Sequence, residues 1–270
     1  MARERVNLAG LDVIIPAGGT IDDQFAKVVD THSKALVRFE GKTVLETTIE
    51  ALRVSGRVGR IVLIGSEEVR NHTDAGMADG LLAEGASGPE NIFRGVDYLL
   101  EEKDPPERVL ICTCDLPFLT PKVVQQFVDS CPSNRDFCVP LISEYDYSEA
   151  YPQAKATFVT LRDGTYTTGC LYNANIKALQ KALHHIDRLF MNRKSKVGMA
   201  RVLGMRFVML LLTKRLTIKD IEDKVMDLLG CTGAAIPASP PELAYDIDYL
   251  EDYHYAVATM KDARRSGGLR

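Results

Sequence analysis

A three-layer α/β/α fold of Rossmann-like build, with a mostly parallel mixed sheet, is the class this sequence predicts, and three observations point to it. Short apolar runs of strand length alternate with segments of helical period. The 270 residues, 46% of them hydrophobic, suffice for the core of one large α/β domain. Two of the apolar runs empty into Ala17-Gly18-Gly19 and Asp115-Leu116-Pro117, which places loops at strand carboxyl ends, where open α/β sheets form their crevice.

The elements follow in order. The run at 12–16 (DVIIP) predicts a buried strand, 44–54 a helix, and 61–65 (IVLIG) a second strand. A helix opens near Pro89, and RVLICTC at 108–114 is the next strand. Thr120 before Pro121 is a cap followed by proline at the first helical position, so a helix runs over 121–130. FCVPLI at 137–142 reads as a strand, two more strands reverse about Asp163-Gly164, and helices cover 174–203. FVMLLL at 207–212 reads as a buried strand or an interface edge. Thr217 with Asp220 three places on is an imperfect capping box for a helix at 217–229, and a last helix starts at 249. Residues 143–206 depart from strict alternation and read as an insertion within a single domain over 1–262, with 263–270 a frayed tail.

Composition narrows the function classes. Lys and Arg number 33 against 37 Asp and Glu, a net charge of −4, so no global basic field draws the chain to nucleic acid or to anionic membrane. The apolar run 207–212 falls far short of the about 20 residues that span a bilayer. At the N-terminus, Asn7, Gly10 and Asp12 interrupt the apolar run before it becomes a secretory core, and the expected location is the cytoplasm. The cysteines at 112, 114, 131, 138, 170 and 231 form no CxxC pair and have no histidines at zinc spacing, so they are expected as reduced thiols. Cys112 and Cys114 share one face of their strand as small core residues.

Several residues carry possible chemistry. Gly18 and Gly19, after a buried strand, let a ligand approach bare backbone N–H groups, since glycine has no Cβ and tolerates positive φ, and Lys34 adds mobile positive charge. Alone, the pair reads first as a tight strand-to-loop turn beside a solvated lysine. Asp115, at a strand's carboxyl end, is placed to hold Mg²⁺ beside a phosphate ligand, or to form an Asx-turn. Asp246 and Asp248, two apart, point the same way on an extended segment and could complete that metal site. With Glu251 three places on, Asp248 is also an ordinary N-cap. Arg188, Arg193, Lys194 and Lys196 make a cationic patch able to hold a phosphorylated or carboxylated molecule, or a solvated helix surface. His184 and His185, adjacent on a helix, diverge and read as an exposed helix end.

Taken together, PAGG at 16–19, SKALVRFEGKTVLETTIEAL at 33–52, ENIFRGVDYL at 90–99, CDLPFLT at 114–120 and DIDYLEDY at 246–253 resemble the molybdenum-cofactor guanylyltransferase-like branch of the nucleotidyltransferases. The resemblance spans most of the chain. It implies a fold of the nucleotide-diphospho-sugar transferase (GT-A-like) type and a Mg²⁺-dependent transfer of a nucleotide from a nucleoside triphosphate to a small, phosphorylated acceptor, with release of pyrophosphate. It further implies that the loop of Ala17, Gly18 and Gly19 grips the triphosphate, that Lys34 neutralises its phosphates, and that Asp115 holds the metal with Asp248 and Asp246. Asn91 and Arg94 resemble positions near the base or ribose. Gly169, within Thr168-Gly169 and Tyr172-Asn173, resembles the segment lining the acceptor pocket; Arg193 and Lys194 of the cationic patch are the candidates to bind the acceptor by charge, and a homodimer is compatible with this reading.

One stretch departs from the family pattern. Where another glycine and an arginine are usual, this chain has TIDDQFAKVVDTHS, and Asp22 and Asp23 are expected to repel a triphosphate unless metal or Lys27 offsets them. Two rivals follow. A glycosyltransferase would use a nucleotide sugar and carry a DxD motif on a central strand, where this chain has Thr113-Cys114-Asp115. A nucleotide-binding regulatory protein would keep the fold without turnover.

Overall fold

The computed structural model of the chain describes residues 10–182, 185 and 202–265. Alternation along three strands builds the layers. In β1 (Leu11–Pro16), Val13 and Ile15 join the larger core cluster while Ile14 joins the second. After β2 (Arg38–Phe39) and β3 (Lys42–Thr43), which form a separate ribbon, β4 (Val58–Gly65) repeats the pattern with Ile61 and Leu63 against Val62 and Ile64. Following β5 (Gly80–Ala83), β6 (Arg108–Cys112) does so again, with Leu110 and Cys112 against Val109 and Ile111. Strands apolar on both faces need helices on both, which is the three-layer arrangement.

Those helices are α1 (Asp23–Val29), α2 (Val44–Val54), α3 (Glu67–Asn71), α4 (Gly88–Glu101) and α5 (Pro121–Ser130). Phe25 of α1, Leu45, Ile49 and Leu52 of α2 and Phe127 of α5 pack in the larger cluster. Phe93, Val96 and Leu99 of α4 fill the second, on the opposite face. Ser87 caps α4, its Oγ accepting from Glu90 N–H at 3.2 Å, and Pro89 starts the first turn.

The remaining strands are β7 (Phe137–Ser143), β8 (Val159–Leu161), β9 (Gly164–Thr168), β10 (Leu171–Asn175) and β11 (Gly233–Ile236). Spatial order is β5-β4-β1-β6-β10-β7-β9-β8, with β11 beside β7. Pairing is parallel across β5-β4-β1-β6 and between β11 and β7; β10 lies antiparallel to β6 and β7, and β9 to β7 and β8. The sheet is therefore mixed, its parallel half lying under the glycine loop. The chain moves one way from β1, to β4, and later the other way, to β6, so the carboxyl ends of β1 and β6 flank a switch point. Ile14 lies opposite Ile111, which sets the loops after Pro16 and Cys112 side by side.

Several elements differ from expectation. FVMLLL is not a strand: it lies in the helix Met205–Leu212, preceded by Gly204 at φ 87°. Six apolar residues satisfy either period, and here Met205, Met209 and Leu212 form an exposed stripe at helical spacing. The helix α1, the strands β5, β10 and β11, and the helix α6 (Glu144–Ala150) had no clear periodic signal. In β10 the sequence LYNAN is half polar, and Asn173 is satisfied by the guanidinium of Arg108, which donates from Nε at 3.0 Å. Residues 159–175, expected within an insertion, supply three strands of the main sheet. The capping box at Thr217 is complete: Thr217 Oγ accepts from Asp220 N–H, and an Asp220 carboxylate oxygen accepts from Thr217 N–H.

Candidate active site

A cavity of about 470 Å³ opens at the switch point, lined by Pro16, Gly18, Gly19, Lys34 and Thr113-Cys114-Asp115, and by residues 84–88 across from them. Its size suits a nucleotide-sized ligand. Ala17 N–H still bonds to the Ile64 carbonyl at 2.7 Å, so Ala17 ends the strand inside the core and the glycine pair forms the lip. Of the two properties expected to matter at those glycines, positive φ is not used, since neither has it. The missing Cβ is the property that counts. A Cβ on Gly18 would lie 2.3 Å from Glu84 Oε2 and 3.2 Å from Asn91 Nδ2.

The loop beyond the lip runs back on itself. Ile21 N–H donates to the His32 carbonyl and Lys34 N–H to the Gly19 carbonyl, each at 3.0 Å. This anchors Lys34 beside the glycines, and its stem lies 3.1 Å from where a Gly19 Cβ would stand. From there Nζ reaches Asp115 Oδ2 at 3.4 Å and donates to Asp248 Oδ1. Burial alone would lower the Lys34 pKa, but the carboxylates of Asp115, Asp248 and Asp246 reverse this and hold it above its usual range, so the ammonium stays charged.

Asp115, Asp246 and Asp248 each offer a carboxylate oxygen, all within 4.8 Å of one another. The closing motif reaches the site because Ile247 N–H donates to the Asp115 carbonyl at 3.1 Å. Asp248 is not occupied as a cap: the carboxylate of Asp252 reaches back to accept from the N–H groups of 248 and 249, at 3.1 and 2.8 Å, leaving Asp248 to face Lys34. Burial, then the charges of Asp115 and Asp248, push Asp246 up to about 7.

The donor set fits a hard divalent cation such as Mg²⁺. It is made of carboxylate oxygens, and Asp115 Oδ1 is buried without a hydrogen-bond partner. Burial keeps the nearby thiols of Cys114 and Cys170 well above their usual pKa, so neither supplies a thiolate ligand or nucleophile. All six cysteines are free.

Other expected site residues fall as follows. Asn91 is buried at the cavity wall, where its Oδ1 accepts from Gly85 N–H at 2.6 Å. Arg94, one turn on, does not line the cavity; it is paired with Glu90 at 2.7 Å and donates to the Ala83 carbonyl. Asp22 caps α1, accepting from the N–H groups of Gln24 and Phe25 at 2.9 Å, and Asp23 is exposed beside His32. Neither lines the cavity. Gly169 packs on the closing segment: a Cβ there would meet the Cβ and carbonyl oxygen of Leu243 at 2.7 Å. Arg193 and Lys194 lie outside the described residues.

Residues 84–88, EGASG, escaped the sequence reading. Two glycines around a serine cap, just before Pro89, were the available signal. Glu84 was hidden because a lone acid in a glycine-rich loop has no spacing partner.

A nucleotide-sized cavity at a switch point, with Lys34 and Asp115 in its wall and Asp246 and Asp248 beside Asp115, makes an α/β site suited to an anionic ligand with a cation. The model of the MobA-like NTP transferase domain matches residues 25–192, and the chain belongs to that family. The match includes Lys34, Asn91 and Asp115 and begins after the glycine pair. Among solved structures, a hypothetical transferase from Thermus thermophilus is 28% identical, with a TM-score of 0.79 over 90% of this chain and 99% of its own. The fold is shared with 2-C-methyl-D-erythritol 4-phosphate cytidylyltransferase, also from Thermus thermophilus, at 16% identity and TM-score 0.56 over 93% and 99% of the two chains. It is shared likewise with 4-diphosphocytidyl-2C-methyl-D-erythritol synthase from Anaerococcus prevotii, at 12% and 0.59 over 94% and 97%. No curated protein matches the chain. No helix among the described residues is long and apolar enough to cross a membrane.

Proposed function

We propose that this nucleotidyltransferase-family chain transfers a nucleoside monophosphate from a nucleoside triphosphate to a small, phosphorylated acceptor in a Mg²⁺-dependent reaction that releases pyrophosphate. The observation that carries the reading is the convergence of Lys34, Asp115, Asp246 and Asp248 at the mouth of a cavity whose lip is Gly18-Gly19. Asp115, Asp248 and Asp246 would hold the cation, which when bound draws off charge building on the phosphates.

The chain's own residues do the rest. Gly18 and Gly19 admit the phosphates to backbone N–H groups, and Lys34, permanently charged, neutralises them from the same lip. An acceptor oxygen attacks the α-phosphorus in line with the departing pyrophosphate, and positioning rather than a nucleophilic side chain supplies the acceleration.

Pyrophosphate release tests this, with Mg²⁺, each of the four common triphosphates and a panel of phosphorylated metabolites. The expected result is acceptor-dependent release that Asp115→Asn abolishes. Binding of triphosphate without release above that variant would overturn the reading in favour of a regulatory protein. Turnover with nucleotide sugars alone would overturn it in favour of a glycosyltransferase.

A further inference from the structure

Lys34 belongs to two places at once. Its stem follows Gly19 and lines the cavity, while its ammonium lies among the carboxylates, hydrogen-bonded to Asp248 and 3.4 Å from Asp115. The Lys34 and Asp115 side chains are only 12% and 15% exposed. An ammonium and a divalent cation in one such cluster repel strongly, because little water screens them. The lysine stem, with its four rotatable methylenes, can carry the charge from the carboxylates to the glycine lip.

We propose that in the nucleotide-free protein the Lys34 ammonium is the resident cation of the Asp115–Asp246–Asp248 cluster, so that a divalent cation and a triphosphate load together. The inference rests on the reading above that the cavity takes a triphosphate. Phosphates at Gly18-Gly19 draw the ammonium off the carboxylates, and the cluster then accepts the metal. Two features of the site support this. Lys34 engages one oxygen of Asp115 and leaves Oδ1, buried, without a partner, so the cluster retains capacity for more positive charge. The same side chain already forms part of the cavity wall, so its release needs no movement of the backbone. By linkage, whatever favours Lys34 at the phosphates favours metal at the carboxylates to the same degree.

Mn²⁺ alone, its free concentration read by electron paramagnetic resonance, tests the proposal on the full chain without nucleotide. Lys34→Met is expected to bind Mn²⁺ roughly 5- to 150-fold more tightly than wild type, the usual span of a coupling between sites. Lys34→Arg should stay near wild type, and adding Asp115→Asn to Lys34→Met should erase the gain. Equal or weaker binding by Lys34→Met, or a gain that survives Asp115→Asn, overturns the proposal. Thermal melts check that the variants fold, and Lys34→Gln serves if the methionine variant does not. In a second arm, inorganic tripolyphosphate should raise Mn²⁺ retention by wild type more than by Lys34→Met, after subtracting the complex the two form in solution; an equal rise overturns the proposal. Turnover with unchanged Mn²⁺ affinities would defeat this inference and leave the transfer reading standing, whereas a Lys34→Met gain without any turnover would do the reverse.

Discussion

Asp246 retains its proton in the folded chain over a pH range where the unfolded chain releases it. With the folded pKa raised from 3.8 to about 7, its contribution to stability is fully present below the lower value and is lost as pH rises through the higher one. At about 1.4 kcal/mol per unit, the loss is bounded at roughly 4 kcal/mol, and residual solvent contact reduces it. Asp246→Asn, which mimics the protonated form, should therefore raise the Tm of the metal-free protein relative to wild type by several degrees at pH 8 and by little at pH 4. A difference that does not change with pH refutes the assignment. Asp115→Asn should cost about 10²-fold or more in kcat with little change in Tm, because Lys34, which loses the charge at Asp115 Oδ2, keeps its bond to Asp248. Steady-state kinetics and melting curves separate the two effects. Gly18→Ala should raise the KM for triphosphate, since the added methyl must displace Glu84, and Glu84→Ala in the same chain should recover part of the loss. At this scale Lys34, Asp115, Asp246 and Asp248 were legible in the sequence, because their types and phrases survive without a fold. Glu84 was not, since only the approach of two loops gives it a role, and Arg94 took a partner within its own helix.

The helix α1 illustrates how an element can redirect a charge. Asp22, whose sequence position opposes it to phosphate, instead turns its carboxylate to the start of α1 and accepts two N–H bonds there. Asp22→Ala should lower stability by about 1 kcal/mol, the usual cost of losing a cap, and leave kcat within a few-fold of wild type. A large rise in activity would show that the charge does oppose the phosphates. The central strands and long helices were legible because burial on both faces writes apolar runs, and Pro89 and the Thr120-Pro121 pair mark starts. The short elements were not: α1 has seven residues, and β10 hides its pairing behind Asn173 and Asn175. FVMLLL fits two periods, and neighbours rather than sequence decide between them.

At the scale of the whole molecule, the site joins the switch point of the sheet to a closing segment far along the chain. Two backbone bonds help hold that segment: Cys170 N–H to the Leu243 carbonyl at 2.7 Å, and Ile247 N–H to the Asp115 carbonyl at 3.1 Å. Gly169 permits the first through its contact with Leu243. Gly169→Ala should thus lift the segment and weaken Mn²⁺ binding severalfold, while a residue confined to acceptor contacts would alter the acceptor KM alone. The fold class was readable from alternation and the closing motif from its acids. The strap joining them was not, because backbone bonds between Cys170 and Leu243 leave no mark on side-chain identity.

The bond from Ile247 to Asp115 also makes the cation cluster conditional on the closing segment. Asp246 and Asp248 meet Asp115 only while that segment is docked on the loop after β6. A local opening of the segment would leave the glycine lip and the cavity wall in place while dispersing the carboxylates, so the chain can keep its lip and lose the cluster in which a cation gathers.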